Sequence, residues 1–320
     1  MLGLLLGRDL QRRLNSCTQY KNIFLEAILK FSWTVTDNDP QSLKKFLNTK
    51  GISHRMYKSA KSDGGQFRVG GRKVDATVVL RAGDQVTVDF PAEVSDPNVA
   101  VSRQPISVIY EDDNWLIVDK PAGLTVVPGP ANRDDTLVNR VKGHLVENGA
   151  EDLVPHIITR LDRFTSGLVL IAKHRLANSL ANEMLAAKTL HKQYQAVVAG
   201  VGLEKHGFID RPIAKDPTGY GQRISDDGKP AQTEYWVDQA YEDRTLVDVA
   251  LHTGRTHQIR VHFASIDHPL LGDALYHGPM DLGIGRQALH ATQLSFEDQF
   301  SNRTLSFKSQ LPQDISALLH

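Results

Sequence analysis

Apolar and polar positions along the chain follow two periods. Between residues 41 and 63 the period is helical. Leu43, Phe46 and Leu47 recur on one face and Gly51 offers a stop. Ser53 stands where a cap would precede a second stripe of Met56, Tyr57 and Ala60, closed by Asp63-Gly64-Gly65. From residue 67 the pattern shortens to strand length. Residues 67–69, 74–80 and 86–90 read as strands parted by the Gly70-Gly71 and Ala82-Gly83-Asp84 turns. Residues 92–104 hold Pro97 and mixed polar side chains, with Pro105 just after, and read as a linker. Beyond it strands, turns and helices alternate. Residues 106–110 and 115–118 are β-branched and aromatic, Lys120-Pro121-Ala122-Gly123 turns the chain, and 168–172 is a buried-strand run. Leu176, Leu180 and Met184 form a helical stripe, and 194–198 and 245–251 read as strands. Thr256 sits where a cap belongs, above Ile259, Phe263 and Ile266, with Pro269 ending the run. The expected division is a tail over 1–30, a small basic domain over 31–91, the linker, and a large α+β domain over 105–320.

Composition narrows the class. Hydrophobic residues make up 41% of the 320 and charged residues 23%, as in soluble globular proteins. No apolar run approaches the roughly 18 residues of a membrane span. Arg8, Asp9, Arg12 and Arg13 interrupt the greasy opening, so neither a membrane nor a secretory address is expected. A lone cysteine, Cys17, leaves no internal disulfide or cysteine metal site and suits the cytoplasm. The formal net charge is zero, but the distribution is not even. Residues 41–81 carry ten Lys/Arg against Asp63 and Asp75, so ten minus two leaves +8. Arg55, Lys58, Lys61, Arg68 and Arg72 are the core of that field, which suits an RNA backbone.

Chemistry concentrates in residues 158–173, ITRLDRFTSGLVLIAK. One carboxylate, Asp162, lies between Arg160 and Arg163 on a loop that runs through Thr165-Ser166-Gly167 into the buried strand. An arginine within about 4–6 Å keeps a carboxylate ionised, and a strand edge preorganises it. The same residues would serve an aspartate that only pins its loop. Other readings are weaker. His257 and His262 are five apart and do not share a helical face as zinc ligands would. A glycoside hydrolase calls for a second carboxylate, and none is adjacent to Asp162 in sequence. A non-catalytic RNA-binding protein needs only the basic segment.

Resemblance adds to these readings. Two short basic helices, then Val69-x-Gly71-x-x-Val74 and a late Gly83-Asp84, resemble the small RNA-binding domain shared with a ribosomal small-subunit protein. Arg160, Leu161, Asp162, Thr165, Ser166, Gly167 and Leu168 resemble the active-site motif of the RluA-type RNA pseudouridine synthases, with Thr159 where the family has histidine. Residues 118–124 with Val126 and Pro128, residues 253–262 with His268-Pro269 and Gly272-Asp273, and Leu289-His290-Ala291 resemble its other motifs in order. Together they span about 107–307.

The resemblance implies a mixed, mostly antiparallel central sheet with flanking helices. It implies isomerisation of uridines in ribosomal or transfer RNA, ribosomal preferred, with no metal or other cofactor, no membrane partner, and a monomer. Uracil leaves ribose at nitrogen 1 and rejoins it through carbon 5, without net redox change or hydrolysis. Asp162 would be the catalytic carboxylate. Tyr194 would stack on the base and take a proton, and Arg260 would pair with the aspartate. Arg160 would fill the RNA stack when the uridine flips out, Leu289 would wall the base pocket, and Lys120 would bind substrate.

Overall fold

In the computed structural model residues 28–320 are described. Most of the expected tail, 1–30, therefore lies outside the described residues, as does Cys17. The chain divides into two compact units, Met1–Ser95 with Gly149–Leu153, and Asp96–Asn148 with Val154–His320.

The first unit is a four-stranded sheet with two helices. Its strands are β1 (Ile28–Thr34), β2 (Gln66–Val69), β3 (Arg72–Lys73) and β4 (Gln85–Pro91), in the order β1-β4-β2-β3. Helix α1 (Leu43–Thr49) buries Leu43, Phe46 and Leu47, and Gly51 at φ 80° follows it. Ser53 caps α2 (His54–Ser62) by accepting from the Met56 amide at 3.2 Å. Tyr57 of α2 packs on Phe67 of β2, ring centroids 4.4 Å apart. Strand β1 adds to the expected elements; its Phe31 and Trp33 alternate with exposed Ser32 and Thr34 as an edge strand should. The strand expected over 74–80 does not form. The Asp75 carboxylate accepts from the Thr77 amide and hydroxyl, and that local turn displaces the ladder.

The second unit is built on a ten-stranded sheet. Its strands are β5 (Ser107–Glu111), β6 (Trp115–Lys120), β7 (His156–Ile157), β8 (Ser166–Ala172) and β9 (His191–Ala199). They continue with β10 (His206–Asp210), β13 (Gln232–Ala240), β14 (Arg244–Leu251), β15 (Leu289–Asp298) and β16 (Arg303–Lys308), while β11 (Ile213–Lys215) and β12 (Gln222–Ile224) form a separate ribbon. The order is β10-β13-β14-β9-β15-β8-β6-β5, with β16 on β15 and β7 on β8. Only the β15–β8 pairing is parallel, so the sheet is mixed and mostly antiparallel. Every residue of β8 is buried, which explains its unbroken apolar run. Helix α4 (Arg175–Ala187) lays Ala177, Ala181 and Met184 on Trp115, Leu170 and Phe296 of this sheet.

Residues 96–104 of the expected linker belong to this unit. The Lys142 ammonium of α3 (Leu137–Glu147) donates to the Asp96 and Val99 carbonyls at 3.0 and 2.6 Å, and Asn139 donates to the Ala100 carbonyl at 2.9 Å. Helix α5 (Gln258–Ala264) begins one residue later than a Thr256 cap would give, with His257 as its cap residue at φ 53°. The Gln258 side chain, not Thr256, accepts from the Arg255 amide at 3.0 Å and so ends the loop. Among the described residues no helix is long and apolar enough to cross a membrane.

Candidate active site

Asp162 sits on the loop between β7 and β8, and Arg260 in the first turn of α5. Ninety-eight residues apart in sequence, they meet: Arg260 Nη1 donates to Asp162 Oδ2 at 3.2 Å. The guanidinium is held from behind by Asp273, which accepts from Nε and Nη2 at 2.7 Å each. Asp273 is 1% exposed and Arg260 7%, while the Asp162 side chain keeps 25% of its surface open. A bidentate Arg–carboxylate pair in a buried setting is both strong and geometrically specific. Burial alone would push the Arg260 guanidinium down, but Asp273 and then Asp162 outweigh it and hold it above its ordinary value. Both Asp273 oxygens are thus engaged, so it is no free second carboxylate for hydrolysis of a glycoside.

From sequence His257 stands out only as an unsuitable metal ligand; the fold brings it to the site. Its Nε2 lies 3.9 Å from Asp162 Oδ2, and its Nδ1 is 2.9 Å from the Tyr276 hydroxyl. That hydroxyl already accepts from the Gln222 amide at 2.8 Å, so it donates its own proton to Nδ1 and leaves the imidazole proton on Nε2, facing Asp162. Burial pushes the His257 imidazole down, which favours this neutral form. Its left-handed backbone is uncommon for a residue other than glycine, and strain of that kind clusters at functional sites. The tyrosine ring in turn lies 5.0 Å under the Arg260 guanidinium.

A cleft of about 500 Å³ opens over Asp162, within the span of small-molecule sites. Tyr194 and Leu289 line it, 5% and 4% exposed, and Arg160 lies exposed at its rim. Burial and then the charge of Asp162 push the Tyr194 phenol up, so the ring stays neutral. Lys192, two residues before Tyr194 on the same strand face, also lines the cleft. Burial pushes its amine down, and among the described residues no carboxylate pairs with it.

Two expectations are corrected. Arg163 does not serve Asp162: its Nε donates to the Gly123 carbonyl at 3.0 Å and its guanidinium lies 5.1 Å from the Phe164 ring centroid. Lys120 does not line the Asp162 cleft. It is fully buried and its ammonium donates to the carbonyls of Pro121, Leu124 and Arg163 at 2.9, 2.9 and 3.1 Å. It therefore ties two loops together. Thr159, in place of the family histidine, accepts from the Leu170 amide at 2.9 Å and ties the start of the Asp162 loop to the later half of β8.

Two outcomes are expected. Asp273→Ala leaves Arg260 a buried cation short of its partner, so urea unfolding should show a loss of about 3–5 kcal/mol; a loss below about 1 kcal/mol contradicts the anchoring role. Burial lowers the Lys120 amine from 10.5 to about 7. Above pH 7 the unfolded chain keeps this proton and the folded chain releases it, so stability should rise with pH from about 7 towards 10.5. The burial penalty is fully present below that window. The slope that Lys120 adds is at most about 1.4 kcal/mol per pH unit, and Lys120→Met should lose that share and give the flatter profile when unfolding is followed across that range.

Comparison with known proteins gives the family. Residues 114–265 match the family model described as RNA pseudouridylate synthase. The Bacillus subtilis (strain 168) protein YjbO, an uncharacterized RNA pseudouridine synthase, is 36% identical over 279 residues, 87% of this chain and 98% of that one. The ribosomal large subunit pseudouridine synthase D of Xanthomonas campestris is 37% identical over 256 residues, covering 75% of this chain and 76% of its own. In fold, human RNA pseudouridylate synthase domain containing 1 aligns over 68% of this chain and 89% of its own, with a TM-score of 0.56 and 23% identity. The chain belongs to the RNA pseudouridine synthase family and is an enzyme of that class.

Proposed function

We propose that this enzyme converts specific uridines of structured ribosomal RNA to pseudouridine, with Asp162 as its catalytic carboxylate. The observation that carries the reading is the half-buried Asp162 carboxylate, 3.2 Å from the buried Arg260 guanidinium, in a cleft shared with Tyr194. The reaction breaks the bond from ribose carbon 1′ to nitrogen 1 and makes one to carbon 5. Carbon 5 gives up a proton and nitrogen 1 gains one, so nothing is oxidised or hydrolysed. A carboxylate that acts on sugar or base, a route for that proton and exclusion of water are sufficient. Arg260 orients Asp162, since its other two contacts are fixed by Asp273.

Tyr194 offers the flipped base a neutral stacking face. Its phenol is pushed up, so it takes the carbon 5 proton only as it passes its own onward, and Asp162 is within electrostatic reach. Arg160 at the rim is placed to occupy the gap in the RNA stack, where a planar guanidinium offsets part of the few kcal/mol of unstacking. Leu289 walls the base, and Lys192 supplies a positive charge inside the cleft for phosphate. A ribosomal substrate is favoured by the relatives named for the large ribosomal subunit. The N-terminal unit contributes an RNA-binding face. Arg55, Lys58 and Lys61 are exposed along α2, and Arg72 is exposed on β3. Arg68 contributes less than its charge suggests, because Asp89 engages it.

Asp162→Asn should retain RNA affinity and lose turnover by several orders of magnitude. Pseudouridine formation by that variant at more than a few per cent of the native rate, followed by mass spectrometry of the RNA, would sink the assignment. Glutamate at positions 58, 61 and 72 in the full chain should weaken RNA binding. The slope of log affinity against log salt should fall by about 0.7–0.9 for each phosphate the variant no longer neutralises. An unaltered salt titration removes the N-terminal unit from the RNA path.

A further inference from the structure

Four buried side chains grip the four residues that follow Asp162, one to each. Lys120 donates to the Arg163 carbonyl at 3.1 Å and Arg286 to the Phe164 carbonyl at 3.1 Å. Gln287 donates to the Thr165 hydroxyl at 3.2 Å, and Ser166 shares a 2.9 Å hydrogen bond with His290 Nδ1. The Thr165 amide then donates back to the Asp162 carbonyl at 3.1 Å and closes the turn. Lys120 ends on carbonyls, and Arg286 is backed by an ion pair in which Asp314 accepts from its Nε and Nη2 at 2.6 and 2.8 Å. The fourth grip differs, because it continues through neutral groups.

His290 Nε2 lies 3.0 Å from Ser309 Oγ, and that hydroxyl donates to Asp119 Oδ2 at 2.7 Å. The directions follow from proton counts. Ser309 has one hydroxyl proton and gives it to the carboxylate, so its oxygen accepts from His290, and Nε2 carries the ring proton. Burial pushes His290 down and keeps the ring neutral. Nδ1 is then bare and accepts from Ser166. Every bond in the chain points the same way, ending on one negative charge, and aligned hydrogen bonds in a low-dielectric setting polarise one another. His290 and Ser166 are 1% and 4% exposed, so the bond between them is largely shielded from water.

The place in the fold gives the relay its effect. The parallel joint between β15 and β8 consists of two residue pairs, His290 with Ser166 and Ala291 with Gly167. The Ser166–His290 bond reinforces this short joint at the point where the Asp162 loop enters the sheet. We propose that His290, Ser309 and Asp119 act as positioning residues for Asp162, through a one-way hydrogen-bond relay that fixes Ser166 and the loop before it. The inference rests on the reading of Asp162 as the catalytic carboxylate. A carboxylate freed to move by about 1 Å loses on the order of 100-fold in rate.

The test compares His290→Leu, His290→Asn, Ser166→Ala and Ser309→Ala in the full chain. Single-turnover pseudouridine formation is measured alongside RNA affinity and melting temperature. His290→Leu and Ser166→Ala should each slow the reaction about 10- to 100-fold, with RNA affinity within about twofold of native. Asparagine places an amide oxygen near the Nδ1 position, so His290→Asn should recover most of the rate. The Ser166→Ala, His290→Leu double variant should be no slower than its slower parent. Ser309→Ala breaks the relay at its half-exposed end and guards against misfolding of the others; a loss of severalfold is expected. The proposal fails if Ser309→Ala runs at the native rate, if His290→Asn is no better than His290→Leu, or if the two losses multiply. Asp162→Asn is run in parallel. Turnover by that variant defeats the reading of the site itself, whereas native rates in the relay variants defeat the relay alone.

Discussion

The site depends on a shared cation. Arg260 faces two carboxylates, and the buried Asp273 takes two of its donors in a planar fork that leaves one nitrogen directed at Asp162. A guanidinium suits this task because its donors are fixed relative to one another, so holding two of them aims the third. Taking the Arg260–Asp273 pair out of water costs several kcal/mol per ion, offset only while both partners and their hydrogen bonds are present. The pair is better understood as a device for direction than as a source of stability. His257 places a neutral imidazole on the same side, 3.9 Å from Asp162 Oδ2, set by the Tyr276 hydroxyl and by a left-handed backbone position.

The opposite side of the Asp162 loop is held by the sheet. Gly167 lies at φ 111°, and a side-chain carbon there would come within 2.3 Å of the Ala291 carbonyl oxygen. Glycine is required at that joint because β8 and β15 approach without room for a Cβ atom. The loop ahead of it is then gripped by groups from β6, from the segment before β15 and from β15 itself. Asp162 is therefore clamped from two directions while its carboxylate stays open to the cleft.

Lys120 illustrates how a motif residue can tie loops together without lining the cleft. Its position in Lys-Pro-Ala-Gly was legible, and so was its link to the family. Its ammonium, however, meets three carbonyls on two loops. Those carbonyls belong to residues 1, 4 and 43 positions away, and only the folded chain brings them to one point.

Sequence alone determined what is local. Helices α1, α2 and α4 and strands β6, β8 and β14 follow from apolar periodicity and turn residues, because each is decided within a few neighbouring side chains. The ordered motifs also carried the family and the identity of Asp162, Tyr194 and Arg260 as candidates. Tertiary structure decided which partners these groups keep. It turned Arg163 away from Asp162, set Asp273 behind the expected partner Arg260, drew His257 into the site, turned Lys120 inward and laid part of the supposed linker on α3. Charge pairing acts through space at about 3 Å, whereas chain spacing constrains only near neighbours, so a site assembled across 98 residues of sequence is closed by the fold.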